Sequence, residues 1–186
     1  MKLYVEGNIN RYYVQTLCMI FFPGAKFAED EEIDENTPEV SVKVTTTEAG
    51  IEAVSRMKLG EKLCESTRFV EFSSLWSNER TAKIAVGRAV FACGEEMFGY
   101  TPAWGILTGV RPSKVASEYL NMGMSKTRVK KLLNTDYLVI PKKASLATEV
   151  AITEKKIFGV PDKKDCSMYI SIPFCPSRCS YCSFVS

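Results

Sequence analysis

The sequence predicts an α+β fold: short strands and a hairpin first, then a run of helices to about residue 160. Beyond that lies the opening strand and a cysteine-bearing loop of a second, unfinished unit. Three observations carry this reading. Val40, Val42 and Val44 alternate with polar residues, the period of a half-buried strand. From Ser77 onward the spacing changes to that of helices with caps and stops. A charged linker at 161–166 then leads to an alternating stretch that ends in three clustered cysteines. The expected units are therefore 1–160, the linker 161–166, and 167–186.

Taken in order, residues 2–6 alternate with Leu3 and Val5 on one face and read as a short strand. Gly7 and Asn8 break it, and a buried helix is expected over about 9–22, ended by Pro23-Gly24. The apolar part of that helix, residues 12–22, is interrupted by Gln15 and Thr16 and lacks a small-residue cleavage site after it. It is also much shorter than the ~20 residues a membrane span needs. The expectation is a cytoplasmic protein without a membrane span. Residues 29–36 are an acidic run, read as a solvated loop.

After the valine strand, Glu48-Ala49-Gly50 can turn the chain, and residues 51–58 can return as a hairpin partner. Ile51, Val54 and Met57 fit a helix as well. Ser77 or Asn78 caps a helix over about 79–98, whose Ile84, Val86, Val90, Phe91, Met97 and Phe98 imply heavy burial. Residues 101–109 form a connection. Pro112 suits the first turn of a helix to about Met122, with Gly123 as its stop. Ser125 caps a basic helix to Leu133, whose Lys126, Arg128, Lys130 and Lys131 make a solvated face. Pro141 opens a last helix with Leu146, Val150, Glu154 and Ile157 on one face. Met168, Ile170 and Ile172 mark the strand of the second unit, stopped by Pro173.

Composition narrows the chemistry. With 46% hydrophobic and 25% charged residues the chain is an ordinary globular sequence, long enough to bury a core. A net charge of +2 argues against a dedicated nucleic-acid surface. There is no histidine, which removes the commonest general base and the imidazole metal ligand. Seven cysteines cannot all pair, and three of them fall within eight residues, which suggests metal ligation in a reducing compartment. Cys18, Cys64 and Cys93 lie in apolar stretches and read as small buried hydrophobes.

Cys175, Cys179 and Cys182 have the spacing C-x3-C-x2-C. Three thiolates on one loop can face one point and hold an iron–sulfur cube by three corners, leaving the fourth iron open. A structural zinc site takes four ligands; Cys166 is the nearest further thiol, and the intervening strand should carry it away. A bacterial ferredoxin has C-x2-C-x2-C-x3-C-P instead. Three unligated cysteines in a turn is the plain structural alternative.

Residues 169–184 resemble the cluster motif of the radical S-adenosylmethionine superfamily, and the lead-in Tyr169-x-x-Ile172-Pro173-Phe174-Cys175 is similar to that of the oxygen-independent coproporphyrinogen III oxidase group. The stretch Trp104-Gly105-Ile106-Leu107-Thr108-Gly109-Val110-Arg111-Pro112-Ser113-Lys114 resembles a segment of its HemZ-type branch, which has an extra N-terminal region of this size. The resemblance implies that Cys175, Cys179 and Cys182 hold a [4Fe-4S] cluster and that Tyr169 and Tyr181 contact S-adenosylmethionine. It implies a partial α/β barrel begun by residues 167–186, and a radical that removes hydrogen from porphyrinogen propionates, which lose carbon dioxide to become vinyl groups. It also implies an electron donor of flavodoxin or ferredoxin type.

On that view this chain is an N-terminal portion, inactive alone, that carries no catalytic residue of its own. The alternatives are a non-catalytic binding module, or a related radical protein such as a haem chaperone. Ser171 stands where the better-known branch has a histidine. The segment around Gly109 and Arg111 lacks the Gly-x4-Gly-Lys-Ser/Thr spacing of a phosphate loop and reads as a helix start, or else as a contact with a carboxylate or the catalytic domain.

Overall fold

The computed structural model describes residues 1–27, 37–109 and 111–159, and beyond them 162, 164–166, 168–172, 175–177, 179–180 and 182. The acidic run at 29–36 and Tyr181 lie outside the described residues. The fold is α+β, as expected. Among the described residues it has one sheet of four strands, β1 (Lys2–Glu6), β2 (Glu39–Thr46), β3 (Gly50–Leu59) and β4 (Lys62–Glu71), in the order β1-β2-β3-β4. β1 runs parallel to β2, and the other pairs are antiparallel. Five helices accompany it: α1 (Arg11–Phe21), α2 (Asn78–Phe98), α3 (Ser113–Asn121), α4 (Lys126–Thr135) and α5 (Pro141–Phe158).

One face of the sheet supplies the core. Val40, Val42 and Val44 on β2, and Ile51, Ala53 and Met57 on β3, are buried, and the alternate residues point to solvent. The register sets Val40 opposite Met57 and Met57 opposite Cys64, so the buried side chains line up across strands. α1 and α2 cover this face. Gly94 lets them approach closely: a Cβ there would meet the Phe21 ring at 2.4 Å. Phe21 fills the space, edge-on to Phe91 with centroids 5.9 Å apart.

The expected strand 2–6 and the hairpin partner at 51–58 are both present as strands. α1 begins two residues later than expected, because the Asn10 side chain caps it and accepts from the Tyr12 and Tyr13 amides at 2.8 and 3.4 Å. β4 was not foreseen. Its buried residues include Cys64 and Ser66, small and weakly apolar, whereas Leu63 and Phe69 point outward and blur the alternation.

α3, α4 and α5 pack on one another, and Arg80 of α2 pairs with Glu118 of α3. Ser125 caps α4, and Pro112 precedes the first residue of α3, close to the expected starts. α5 turns a different face inward from the one its large residues suggest. Ala144, Ala147, Thr148 and Ala151 are buried, which lets α3 and α4 come close, while Leu146, Val150 and Ile157 are exposed. Arg88 fastens this group to α2: its guanidinium donates to Asp136 Oδ1 at 2.7 Å and to the carbonyls of Asp136 and Thr135.

The strand expected at 167–172 is corrected. Its described residues, 168–172, are in no strand, and Met168, Tyr169, Ile170 and Ile172 are exposed. A strand needs a neighbour to take its amides and carbonyls. Among the described residues no other strand pairs with this stretch, and the partial barrel finds no support in this structure.

Candidate functional site

The cysteine tail follows α5 through a tight turn. Asp162 and Asp165 lock it: the Asp162 amide donates to Asp165 Oδ2 at 2.8 Å, and the Lys164 amide to Asp162 Oδ1 at 2.9 Å. Cys166 emerges there, exposed, at the edge of a cleft of about 550 Å³ between α3 and α5 that Arg111, Glu154 and Phe158 also line. Arg111 and Glu154 face each other at 3.7 Å.

Cys175 and Cys179 are exposed, Cys182 is half-buried, and none is in a disulfide. The Cys182 amide donates to the Cys179 carbonyl at 3.0 Å, a turn that bends the chain between the second and third thiols. Among the described residues, no three acidic, cysteine or histidine side chains converge closely enough to hold a metal ion. The donor set still suits an iron–sulfur cluster: three free, accessible thiols, with no imidazole anywhere in the sequence to compete. Tyr169, expected to contact S-adenosylmethionine, is 83% exposed and outside any strand. Tyr181, the other expected contact, lies outside the described residues.

The remaining cysteines behave differently. Cys18, Cys64 and Cys93 are buried, as their apolar setting implied. Burial pushes the Cys18 thiol up to about 12, and burial with the neighbouring Cys93 and Glu96 does the same to Cys64. The Cys93 thiol is raised by burial and donates to the Ser55 carbonyl at 3.3 Å. These are core groups, not ligands.

Sequence reasoning singled out the 104–114 stretch but gave no picture of how it is held. Gly105 has φ +56°, and a Cβ there would lie 2.0 Å from the Tyr137 carbonyl oxygen. The Ile106 amide donates to that same oxygen at 2.9 Å, and the Ile140 amide to the Ala103 carbonyl at 3.2 Å. The Ile106 side chain packs on Gly87 of α2, where a Cβ would come within 2.9 Å. The motif is thus a clamp between α2 and the α4–α5 connection. Its remaining edge, Leu107-Thr108-Gly109, borders two surface hollows.

What fold and tail define is an α+β domain that carries an exposed, histidine-free, thiol-rich tail. The particular likeness is to the oxygen-independent coproporphyrinogen-III oxidase-like protein HemZ of Bacillus subtilis (strain 168), 44% identical over 90 residues. That similarity supports the HemZ-type group for the matched part of the chain. It covers 46% of this chain and 18% of the relative, so the chain spans about a fifth of the curated relative's length. No protein-family model matches the chain. No solved structure matches it. Among the described residues, no helix is long and apolar enough to cross a membrane.

Proposed function

We propose that this chain is the N-terminal part of a cytoplasmic radical S-adenosylmethionine enzyme that decarboxylates coproporphyrinogen III propionates to vinyl groups. Residues 1–160 form its leading domain, 161–166 the linker, and 167–186 the start of the catalytic barrel. The observation that carries the reading is the 44% identity to the HemZ protein, joined to the C-x3-C-x2-C tail of free thiols.

Cys175, Cys179 and Cys182 would hold a [4Fe-4S] cluster as thiolates, and Tyr169 and Tyr181 would lie against S-adenosylmethionine. The chemistry such a cluster supplies when bound is the one-electron cleavage of S-adenosylmethionine that starts hydrogen abstraction. The chain's own residues prepare for this. The backbone turns between Cys179 and Cys182, whose amide donates to the Cys179 carbonyl. The exposure of Cys175 and Cys179 leaves them open to iron. Tyr169, free of any strand, can settle on a cofactor beside the loop.

The test is anaerobic turnover by the protein encoded by the whole reading frame, given S-adenosylmethionine, a flavodoxin- or ferredoxin-type donor and coproporphyrinogen III. Formation of protoporphyrinogen IX is expected, and 186-residue chain alone should give none. Ser171, in place of a histidine, favours one second reading, a related radical protein that handles a different tetrapyrrole. Cleavage of S-adenosylmethionine without decarboxylation would select that reading.

A further inference from the structure

The clamp that fixes residues 103–106 leaves Leu107, Thr108 and Gly109 as a ridge between two hollows. On one side is a hollow of about 570 Å³, walled by Tyr12 and Met19 of α1 and by Trp104. That volume is in the range of small-molecule sites, ~300–1,000 Å³. Tyr12 is 70% exposed, so a large aromatic face is presented to water here. Lys143 sits over the Trp104 ring at 5.2 Å from its centroid and adds a cation beside the aromatic wall.

On the other side is a smaller hollow of about 170 Å³, lined by Tyr13, Arg80 and Lys83. The two hollows are neighbours that share Leu107, Thr108 and Gly109 as a common wall, which the Thr16 hydroxyl meets by donating to the Thr108 hydroxyl at 3.4 Å. One lobe is thus aromatic and apolar, and the other carries two cations.

Each cation has N–H donors left over beside its present partner. Lys83 pairs with Glu79 at 2.6 Å, but this is an exposed pair one helical turn apart, a kind that contributes little to stability. Arg80 gives one nitrogen, Nη2, to Glu118 at 2.5 Å, and a guanidinium has five N–H donors. Tyr13 donates its hydroxyl to the Lys83 carbonyl at 3.0 Å, which fixes α1 against α2 and keeps the lobe in shape. The frame is built before any ligand arrives, which lowers the cost of binding.

We propose that this groove binds a tetrapyrrole carboxylate, with the ring system over Tyr12, Met19 and Trp104 and a propionate at Arg80 and Lys83. The identity of the ligand rests on the function proposed above; the two-lobed shape and the charge do not. The domain then has a task of its own, to hold the porphyrinogen at a second place away from the cysteine tail.

The probe is coproporphyrin III, the stable oxidised macrocycle with all four propionates, titrated into the 186-residue chain without iron or S-adenosylmethionine and followed by its Soret band. Saturable one-to-one binding is expected. The tetramethyl ester, which has the ring but no charge, should bind about ten-fold or more weakly. Lys83→Glu, at an exposed position, and Thr108→Trp, on the wall the hollows share, should each weaken binding by a similar factor, with unchanged thermal unfolding as the check on folding. Phe158→Ser, on the α5 side, should bind as the parent does. Absence of saturable binding, or equal affinity for acid and ester, overturns the proposal. Binding here, together with a whole protein that cleaves S-adenosylmethionine but leaves coproporphyrinogen intact, would instead defeat the proposed reaction and leave the groove standing.

Discussion

The hydroxyls of Tyr119 and Tyr137 lie 2.8 Å apart in the interior, and Trp76 donates its indole N–H to Tyr119 at 2.7 Å. This short chain joins the segment before α2 to α3 and to the end of α4. Tyr119→Phe removes the middle member and leaves the indole N–H and the Tyr137 hydroxyl without their partner. The expected loss is about 1–3 kcal/mol in urea unfolding, larger than removal of an exposed hydroxyl would give.

Gly105 makes the tightest backbone approach in the motif at 104–109. Gly105→Ala places a methyl group against the Tyr137 carbonyl and forces a side chain into the left-handed region. A loss of about 2–3 kcal/mol is expected. Gly24→Ala is the control, because its φ is also positive, +79°, but nothing lies within 4 Å of the added methyl. It should cost about 1 kcal/mol. Equal losses at the two positions would show that the clamp gives way.

Burial raises Tyr13, Cys18 and Tyr137 above their ordinary values of 10.0, 9.0 and 10.0. All three are neutral acids that ionise more readily in the unfolded chain than in the folded one. Their contribution to stability is therefore fully present below pH about 9 and is lost as pH rises above it, because the unfolded state then releases protons that the folded state keeps. Unfolding free energy should be flat with respect to these groups from neutral pH to 9 and fall beyond. Tyr13→Phe should flatten the alkaline limb; an unchanged slope would remove Tyr13 from this account.

Thiol reactivity should divide the seven cysteines into two sets. Cys166, Cys175 and Cys179 are exposed and Cys182 is half-buried, whereas Cys18, Cys64 and Cys93 are in the core. With Cys18 and Cys64 pushed up to about 12, their thiolate fraction near neutral pH is negligible. A maleimide reagent at pH 7 should label the first four within the time that denatured chain labels all seven. Rapid labelling of Cys18 would mean that α1 opens readily.

The parts of the fold that could be read from sequence are those where one residue type repeats at one period. The three valines of β2 and the capped α2, with its repeated apolar positions from Ile84 to Met97, are of this kind. β4 was hidden because its buried side rests on Cys64 and Ser66, and size rather than hydrophobicity chose them to fit under α2. α5 misled in the opposite sense: its small alanines, not its Leu146 and Ile157, face the neighbouring helices. For the site, the cysteine spacing was visible because it is contiguous. The groove was not, since Tyr12, Arg80, Trp104 and Thr108 are brought together only by the packing of α1, α2 and the 104–109 clamp.

The most direct test of the central claim is anaerobic reconstitution, with iron and sulfide, of the protein encoded by the whole reading frame, alongside its Cys179→Ala variant, read by iron and sulfide content. About four irons and four sulfides per chain are expected for the parent sequence, and essentially none for the variant. Equal iron in both would contradict the assignment of Cys175, Cys179 and Cys182 as cluster ligands.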